Sequence, residues 1–257
     1  MKFDNLLFRA SSIGKIMTSA RGKSEGLSET CKDYLLEVYL SEKYGRREIL
    51  TSKYLDKGKA REDDSITLVS RYFKKFFKKN TVRLNNEYVT GEVDIFEGDD
   101  IYSAWHTIDT KTSWNMLTFH RSKKKLDNMY YWQGQSYMAL TGAEKHTVAY
   151  CLINNTDVAI ADEKKKAAYA MHILDPSARD NEEYIDKCKQ IEINHIFDMQ
   201  SFMNEYPWFE FDNNPNEWQW DVPLKDRLHT FTFDRNDEDI KAMYERILEC
   251  RDYLKTM

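Results

Sequence analysis

The stretch 90–111, TGEVDIFEGDDIYSAWHTIDTK, sets one acid, Asp94, on a β-patterned run and an acid-x-lysine group, Asp109 and Lys111, at the end of the next. Strand residues two apart share a face, so Asp109 and Lys111 project together. Two carboxylates can hold a hard divalent cation such as Mg²⁺ through oxygen, leaving positions for a phosphate oxygen and for water. An ammonium beside them can orient or help deprotonate that water and stabilise charge building on phosphorus. The chemistry within reach is hydrolysis of a phosphodiester. Acid-x-lysine is nevertheless a common pattern: Asp162/Lys164 and Glu163/Lys165 repeat it within DEKK, where the surrounding charge reads as a solvated helix. For Asp109/Lys111 taken alone, a surface ion pair is the rival reading.

The elements that must position these residues follow from hydrophobic period and turn residues. Beyond Arg9, ASSIGKIMTSA predicts a short helix started by Ser11 or Ser12. Gly22 and Gly26 bracket a loop, and Ser28 caps a helix with Cys31, Leu35, Val38 and Tyr39 on one face, ended by Gly45. A third helix is expected from about Ser52 into the Lys/Phe segment, with Ala60, Ile66, Val69 and Phe73 inward and Glu62 toward or beside the core. Strands are expected over 81–89 with a turn at Asn85-Asn86, over 91–96, and over 101–111, then a helix over 116–140 and a strand over 145–154. The remainder reads as mostly helical, with a Trp-rich irregular stretch and a short strand at 229–233.

At 257 residues with 14% aromatics, the chain can bury one sizeable core, or one core plus an appended helical region, and the composition argues against disorder. No linker rich in Pro, Gly or Ser divides it, so a single domain over 1–257 is expected, with a core over about 1–155 and a mostly helical extension over about 156–257. No apolar run approaches a membrane span and MKFDNLLFRASS has no signal-peptide core, which points to the cytoplasm and away from membrane. Cys31, Cys151, Cys188 and Cys250 are scattered without a C-x-x-C pair and read as reduced, partly buried thiols; no HExxH occurs. Zinc and iron–sulfur clusters are therefore not expected. The net charge of −5 argues against indiscriminate nucleic-acid binding, but 71–83 (RYFKKFFKKNTVR) and 120–125 (HRSKKK) carry cations and no acid. For each run taken alone, a solvated helix face is the rival reading.

Read in order, the acids and amides fall at the joints of helix, strand, strand, helix, strand: Glu62 in GKAREDD, Asp94 in GEVD, Asp109 and Lys111 in IDTK, and Gln133 with Tyr137 in WQGQSY. Here the chain resembles the PD-(D/E)XK nuclease superfamily, and most closely its lambda-exonuclease-like branch with the YqaJ-type viral recombinases. The G-x-x-D, acid-x-Lys and Q-x-x-x-Y elements match, and RASSIGKIM is similar to the family's N-terminal helix. The likeness covers about residues 1–155; Val93 stands where the family often has proline, and the acid of acid-x-Lys is Asp.

The resemblance implies an α/β (α+β) fold, a central mixed β-sheet flanked by helices in a restriction-endonuclease-like core. It also implies Mg²⁺-dependent hydrolysis of double-stranded DNA, with Mn²⁺ an alternative ion. Asp94 and Asp109 would be metal ligands, the Thr110 carbonyl a third, and Glu62 would hold the metal or its water shell. Lys111 would activate water, Gln133 orient the lysine or a bound water, and Tyr137 support the site or touch DNA. Arg9 and Ser11 would receive a 5′-phosphate, and either Lys123 to Lys125 or Lys74, Lys75, Lys78 and Lys79 would contact backbone phosphates. Kinship further implies a 5′ to 3′ exonuclease of phage or prophage recombination, working in the host cytoplasm, with a single-strand annealing partner and a homotrimer as associations. Three readings stay open: this exonuclease, an endonuclease or Cas4/RecB-like trimming nuclease of the same fold, and a catalytically silent DNA-binding module.

Overall fold

The computed structural model describes residues 3–20, 26–47, 52–173 and 181–257; Gly22 of the expected loop lies outside them. Strand β1 (Phe8–Arg9) runs through a 3-10 turn at Ala10–Ser12 into α1 (Ile13–Ile16), followed by α2 (Glu29–Tyr44), α3 (Lys53–Ala60) and α4 (Glu62–Phe73). Then come β2 (Leu84–Asn85), β3 (Val89–Gly91), β4 (Ile95–Glu97), β5 (His106–Ser113), α5 (Met116–Ser122), α6 (Asn128–Thr141) and β6 (Lys145–Leu152). Helices α7 (Asp157–Ala170), α8 (Glu182–His195) and α9 (Met199–Glu205) lead to β7 (Leu228–Asp234) and α10 (Asp237–Lys255).

The central sheet is mixed, as expected, in the order β4-β5-β6-β7. Strands β5 and β6 are parallel, and β4 and β7 join antiparallel at the edges. A small second sheet, β1-β3-β2, sits beside it. Strand β6 is buried at every position but its first, the pattern of a strand covered on both faces. One face packs under α4, with Ile66 and Val69 against Ile95, Ile108, Ala149, Cys151 and Leu228. The other carries Val148, Tyr150 and Leu152 against Phe119 and Phe197, with Tyr130 and Phe231 packed alongside. The C-terminal chain returns to this core: β7 pairs along β6, and α10 joins α1 and α2 through Ile240, Met243, Ile247 and Cys250.

Ser28 caps α2 by accepting the Cys31 N–H, and Gly45 ends it in the left-handed region at φ 66°. Elsewhere the expected elements need correction. Ser11 lies inside the 3-10 turn rather than at a helix start, and Ser12, at the start of α1, makes no side-chain cap bond. The expected third helix is broken at Arg61 (φ −117°, ψ 16°), which rephases it, so that Ala60 and Phe73 lie outside rather than inward. The break is held from nearby and from far along the chain: the buried Arg61 guanidinium donates to Asp64 (2.9 Å) on α4, and to Glu205 (2.6 Å) and the Tyr206 hydroxyl (2.7 Å). The strand expected over 91–96 is interrupted, β3 ending at Gly91 and β4 starting at Ile95. The helix expected over 116–140 divides at 123–127, where Asp127 caps α6 through the Met129 N–H, leaving Lys123 to Lys125 in an exposed connection. All four cysteines are buried free thiols. The DEKK motif lies on a helix, but Lys164 turns inward to Glu192 (2.8 Å) and Asp212 (2.6 Å).

Candidate active site

The sheet register decides which residues meet. Asp109 stands beside Val148 and Lys111 beside Tyr150, so both project from the face covered by α5 and α6. The intervening Thr110 and Thr112 face α4, where Thr112 Oγ1 lies 2.8 Å from Ser65 Oγ. Continuing the antiparallel pairing Ile95↔Ile108 by one residue brings Asp94 across from Asp109. Asp94 does not continue the ladder. Its carboxylate crosses to β5 instead, where Oδ2 accepts both the Thr110 N–H (2.6 Å) and the Thr110 hydroxyl (2.7 Å).

Asp109 is 3% exposed. Its Oδ2 forms an ion pair with Lys111 Nζ, although no hydrogen bond is directed at that buried oxygen. Gln133 bridges the pair: its Oε1 accepts from Lys111 Nζ (3.1 Å), while its amide nitrogen donates to Tyr137 Oη (2.8 Å) and reaches Asp109 Oδ1 at 3.4 Å. The spacing of Gln133 and Tyr137 by one helical turn makes this bridge. Tyr137 is fixed from below by Gly91, where a Cβ would come within 2.9 Å of its ring and 3.0 Å of Ala10. The first residue of G-x-x-D is therefore a packing requirement.

The electrostatics follow from burial and like charge. Burial, then the charge of Asp109, push the Asp94 carboxyl up to about 7, against the opposing Thr110 N–H and Lys111. Burial works against the Lys111 ammonium, but Asp109 and Tyr130 outweigh it and hold its pKa above the ordinary lysine value. Lys111 is therefore a cation in this state, suited to stabilising charge more than to taking a proton. Burial, with Asp109 and Asp94, keeps the Tyr137 phenol protonated.

The network thus joins Asp94, Asp109, Thr110, Lys111, Gln133 and Tyr137. Glu62 is not part of it: from the first turn of α4 it pairs with Lys79 at 3.2 Å. Among the described residues no group of three or more His, Cys, Asp or Glu side chains converges to hold an ion. Asp94 and Asp109 lie near enough for burial and then the Asp109 charge to raise Asp94, and carboxylate oxygen is the donor type a hard divalent cation takes. Arg9 and Ser11 are both exposed. Arg9 instead shares a cavity of about 390 Å³ with Ser12, Lys15, Tyr34 and Arg46, so the neighbouring serine, not Ser11, faces that space. Arg121, Lys123, Lys124 and Lys125 pair with no acid among the described residues, and Lys123 lies 4.6 Å over the Phe119 ring. Phe119 belongs to the same cluster as Tyr130, which ties this basic connection to the Lys111 face.

Sequence reading missed two residues. Tyr130 presents its ring 4.5 Å from Lys111 Nζ, and its position one helical turn before Gln133 was the available signal. His146, wholly buried on β6 behind Tyr137, lies 2.8 Å from Thr107 Oγ1 through Nδ1. Burial and the Lys111 charge push it down to about 3, so it is a neutral packing residue.

No family model matches the chain, and no curated protein does. Solved structures do. A phage-related exonuclease from Haemophilus somnus 129PT is 22% identical, with 98% of this chain and 95% of that one covered at a TM-score of 0.66. An alkaline exonuclease (LHK-Exo) from Laribacter hongkongensis is 13% identical, with coverages of 97% and 88% at 0.58. The same exonuclease in complex with dAMP aligns at 0.56 with 14% identity and the same coverages. The chain shares the fold of these exonucleases, as the motif order implied, and the likeness extends well past residue 155.

Proposed function

We propose that this chain is a metal-dependent deoxyribonuclease that degrades linear double-stranded DNA from a 5′ end, acting as one domain over residues 1–257. The observation that carries the reading is the crossing of Asp94 onto β5, where its carboxylate is bound by Thr110, the residue between Asp109 and Lys111, and lies near enough to feel the charge of both. A fold shared with a phage-related exonuclease and with an alkaline exonuclease seen in complex with dAMP supports it.

Asp94 and Asp109 would hold Mg²⁺, or Mn²⁺ in its place, with the Thr110 carbonyl as a further oxygen and with Glu62 joining from α4 on exchanging Lys79 for the metal's water shell. The bound ion supplies Lewis-acid polarisation of the phosphate and lowers the pKa of water. The chain's own residues do the rest. Lys111 orients the attacking water and stabilises negative charge on the phosphoryl oxygens. Gln133 and Tyr130 hold the Lys111 ammonium in place, and Tyr137 supports Gln133. Lys123 and Lys124 contact backbone phosphates, and Arg9 with Ser12, in place of the exposed Ser11, receives the 5′-phosphate.

The biological setting in this reading is phage-type recombination in a host cytoplasm, with a homotrimer and a single-strand annealing protein as partners. No helix among the described residues is long and apolar enough to cross a membrane. The test is incubation with end-labelled linear duplex and with covalently closed circular duplex, in Mg²⁺ or in EDTA. The expected result is loss of label from the linear substrate in Mg²⁺ alone. Cutting of the circle would move the activity to endonuclease, and inertness toward both would leave the scaffold without the chemistry.

A further inference from the structure

Strand β4 begins immediately after Asp94 and forms one wall of a groove of about 490 Å³, with the 75–82 segment as the other. Its lining includes Lys75, Phe76, Lys78, Val82, Phe96 and Trp105. Phe76 is 88% exposed and Trp105 52% exposed, although burying either ring would be favourable by a few kcal/mol on the order of 25 cal/mol per Å². Aromatic surface left in water around a groove marks an interaction site.

Charge identifies the occupant. Lys78 in the groove lining, and Lys74 just ahead of that wall in sequence and outside the lining, pair with no acid among the described residues. Lys75 is neutralised by Glu97 (2.9 Å), and Lys79 by Glu62 (3.2 Å) and Asp63 (3.4 Å). The acids on the opposite wall are Glu97, already paired, and Asp99 at the turn. Cations confined to one wall with aromatic faces beside them suit a strand whose phosphates lie along the lysines and whose bases stack. A duplex hides its base faces and would leave both rings unused; an acidic peptide would satisfy the lysines only.

The groove is also fixed in place. Asn80 donates its N–H to the Asp94 carbonyl (2.7 Å) and its side-chain amide to the Val93 carbonyl (2.9 Å), clamping the lysine wall to the segment that carries Asp94. We propose that this groove binds single-stranded DNA, with bases stacked on Phe76 and Trp105 and phosphates at Lys74 and Lys78. The proposal does not depend on hydrolysis, because binding is read without metal.

Fluorescence anisotropy of a labelled oligo-dT, together with tryptophan quenching, is measured on the full chain in EDTA across a salt series. F76A and W105A should each lose about 10-fold in affinity, W105A should also lose most of the quenching, and an abasic strand of equal length should bind wild type more weakly than oligo-dT binds either variant. K74Q/K78Q should lower the salt slope by about 1.4. Circular dichroism melts matching wild type confirm that the exposed substitutions leave the fold intact. Equal binding of the abasic strand, unchanged affinity in both aromatic variants, or tighter binding of duplex than of oligo-dT would overturn the proposal. Complete displacement by poly-glutamate at matched charge, with the aromatic variants unaffected, would reassign the groove to a protein partner.

Discussion

The Lys111 ammonium lies 4.5 Å from the centre of the Tyr130 ring, on the opposite strand–helix contact from the face that carries Thr110 toward Asp94. Three unlike groups therefore fix one charge: the carboxylate of Asp109, the amide oxygen of Gln133 and an aromatic face. Removing the charge should cost chemistry and leave binding. Lys111→Ala is expected to lower single-turnover hydrolysis on the order of 10²–10³-fold while duplex affinity in Ca²⁺ stays near wild type. Wild-type turnover would exclude Lys111 from the reaction.

Tyr130 can be separated from Lys111 by pH. Since the Tyr130 ring face lies 4.5 Å from the ammonium and favours its charged form, activity should fall as pH rises through the Lys111 pKa, and Tyr130→Leu should move that limb to lower pH. Tyr130→Phe keeps a ring face and should restore most of the difference. A limb at the same pH in all three proteins would reduce Tyr130 to packing.

Asp94 should destabilise the metal-free protein at neutral pH. Its carboxyl is raised to about 7 on folding from an ordinary value of 3.8, so between those values the native state holds the extra proton, and stability declines as pH rises from about 4 to 7. Asp94→Asn, whose amide oxygen can still accept both Thr110 bonds, should lack this decline and be more stable at pH 8 by on the order of 1–3 kcal/mol. Thermal melts of both proteins across pH measure it. Adding Mg²⁺ or Mn²⁺ should raise the wild-type melting temperature and leave the variant's unmoved, because only an ion bound to the folded site stabilises it.

End chemistry tests the N-terminal segment. Arg9→Ala should slow degradation of 5′-phosphorylated duplex at least about 10-fold more than of 5′-hydroxyl duplex, the difference a charge-assisted phosphate contact supplies. Ser12→Ala is expected to share that selectivity, since Ser12 lines the cavity with Arg9, whereas Ser11→Ala should be silent. Equal losses on both ends would remove this segment from phosphate recognition.

The exposed connection between α5 and α6 makes a quantitative claim about salt. Lys123→Ala/Lys124→Ala should reduce the dependence of log affinity on log salt by about 1.8 for duplex DNA, with little effect on the rate of bound substrate. An unchanged slope would assign these lysines to solvent.

The parts of this architecture that could be read from residue order are those where local pattern and tertiary partner agree. Asp109 and Lys111 share a face because strands alternate, and Gln133 meets Tyr137 because helices repeat every turn. The sequence sets Asp94 inside a strand over 91–96, whereas the chain leaves the strand between Gly91 and Ile95, and the crossing of Asp94 to Thr110 depends on that break. The misphased helix has the same kind of cause. A hydrophobic pattern assigns Lys57 and Arg61 to the outside, but both are buried: Lys57 Nζ donates to the Ser113 and Trp114 carbonyls, and Arg61 to Glu205 and Tyr206. Apart from Asp64 beside Arg61, those partners lie far off in sequence, and they help make burial of the cations tolerable. The basic connection at 123–125 carries a helix-like pattern, because nothing local distinguishes a charged helix end from a charged loop.

The return of the chain at Leu228–Lys255 carries a consequence for how the protein comes into being. Every acid and amide of the site is translated before β7, yet β6 lacks its outer neighbour, and the first helices lack α10, until those later residues have emerged. On the ribosome the half-made sheet exposes an unpaired apolar edge, so assembly of a competent centre is timed by the arrival of the final strand and helix rather than by the catalytic motifs themselves.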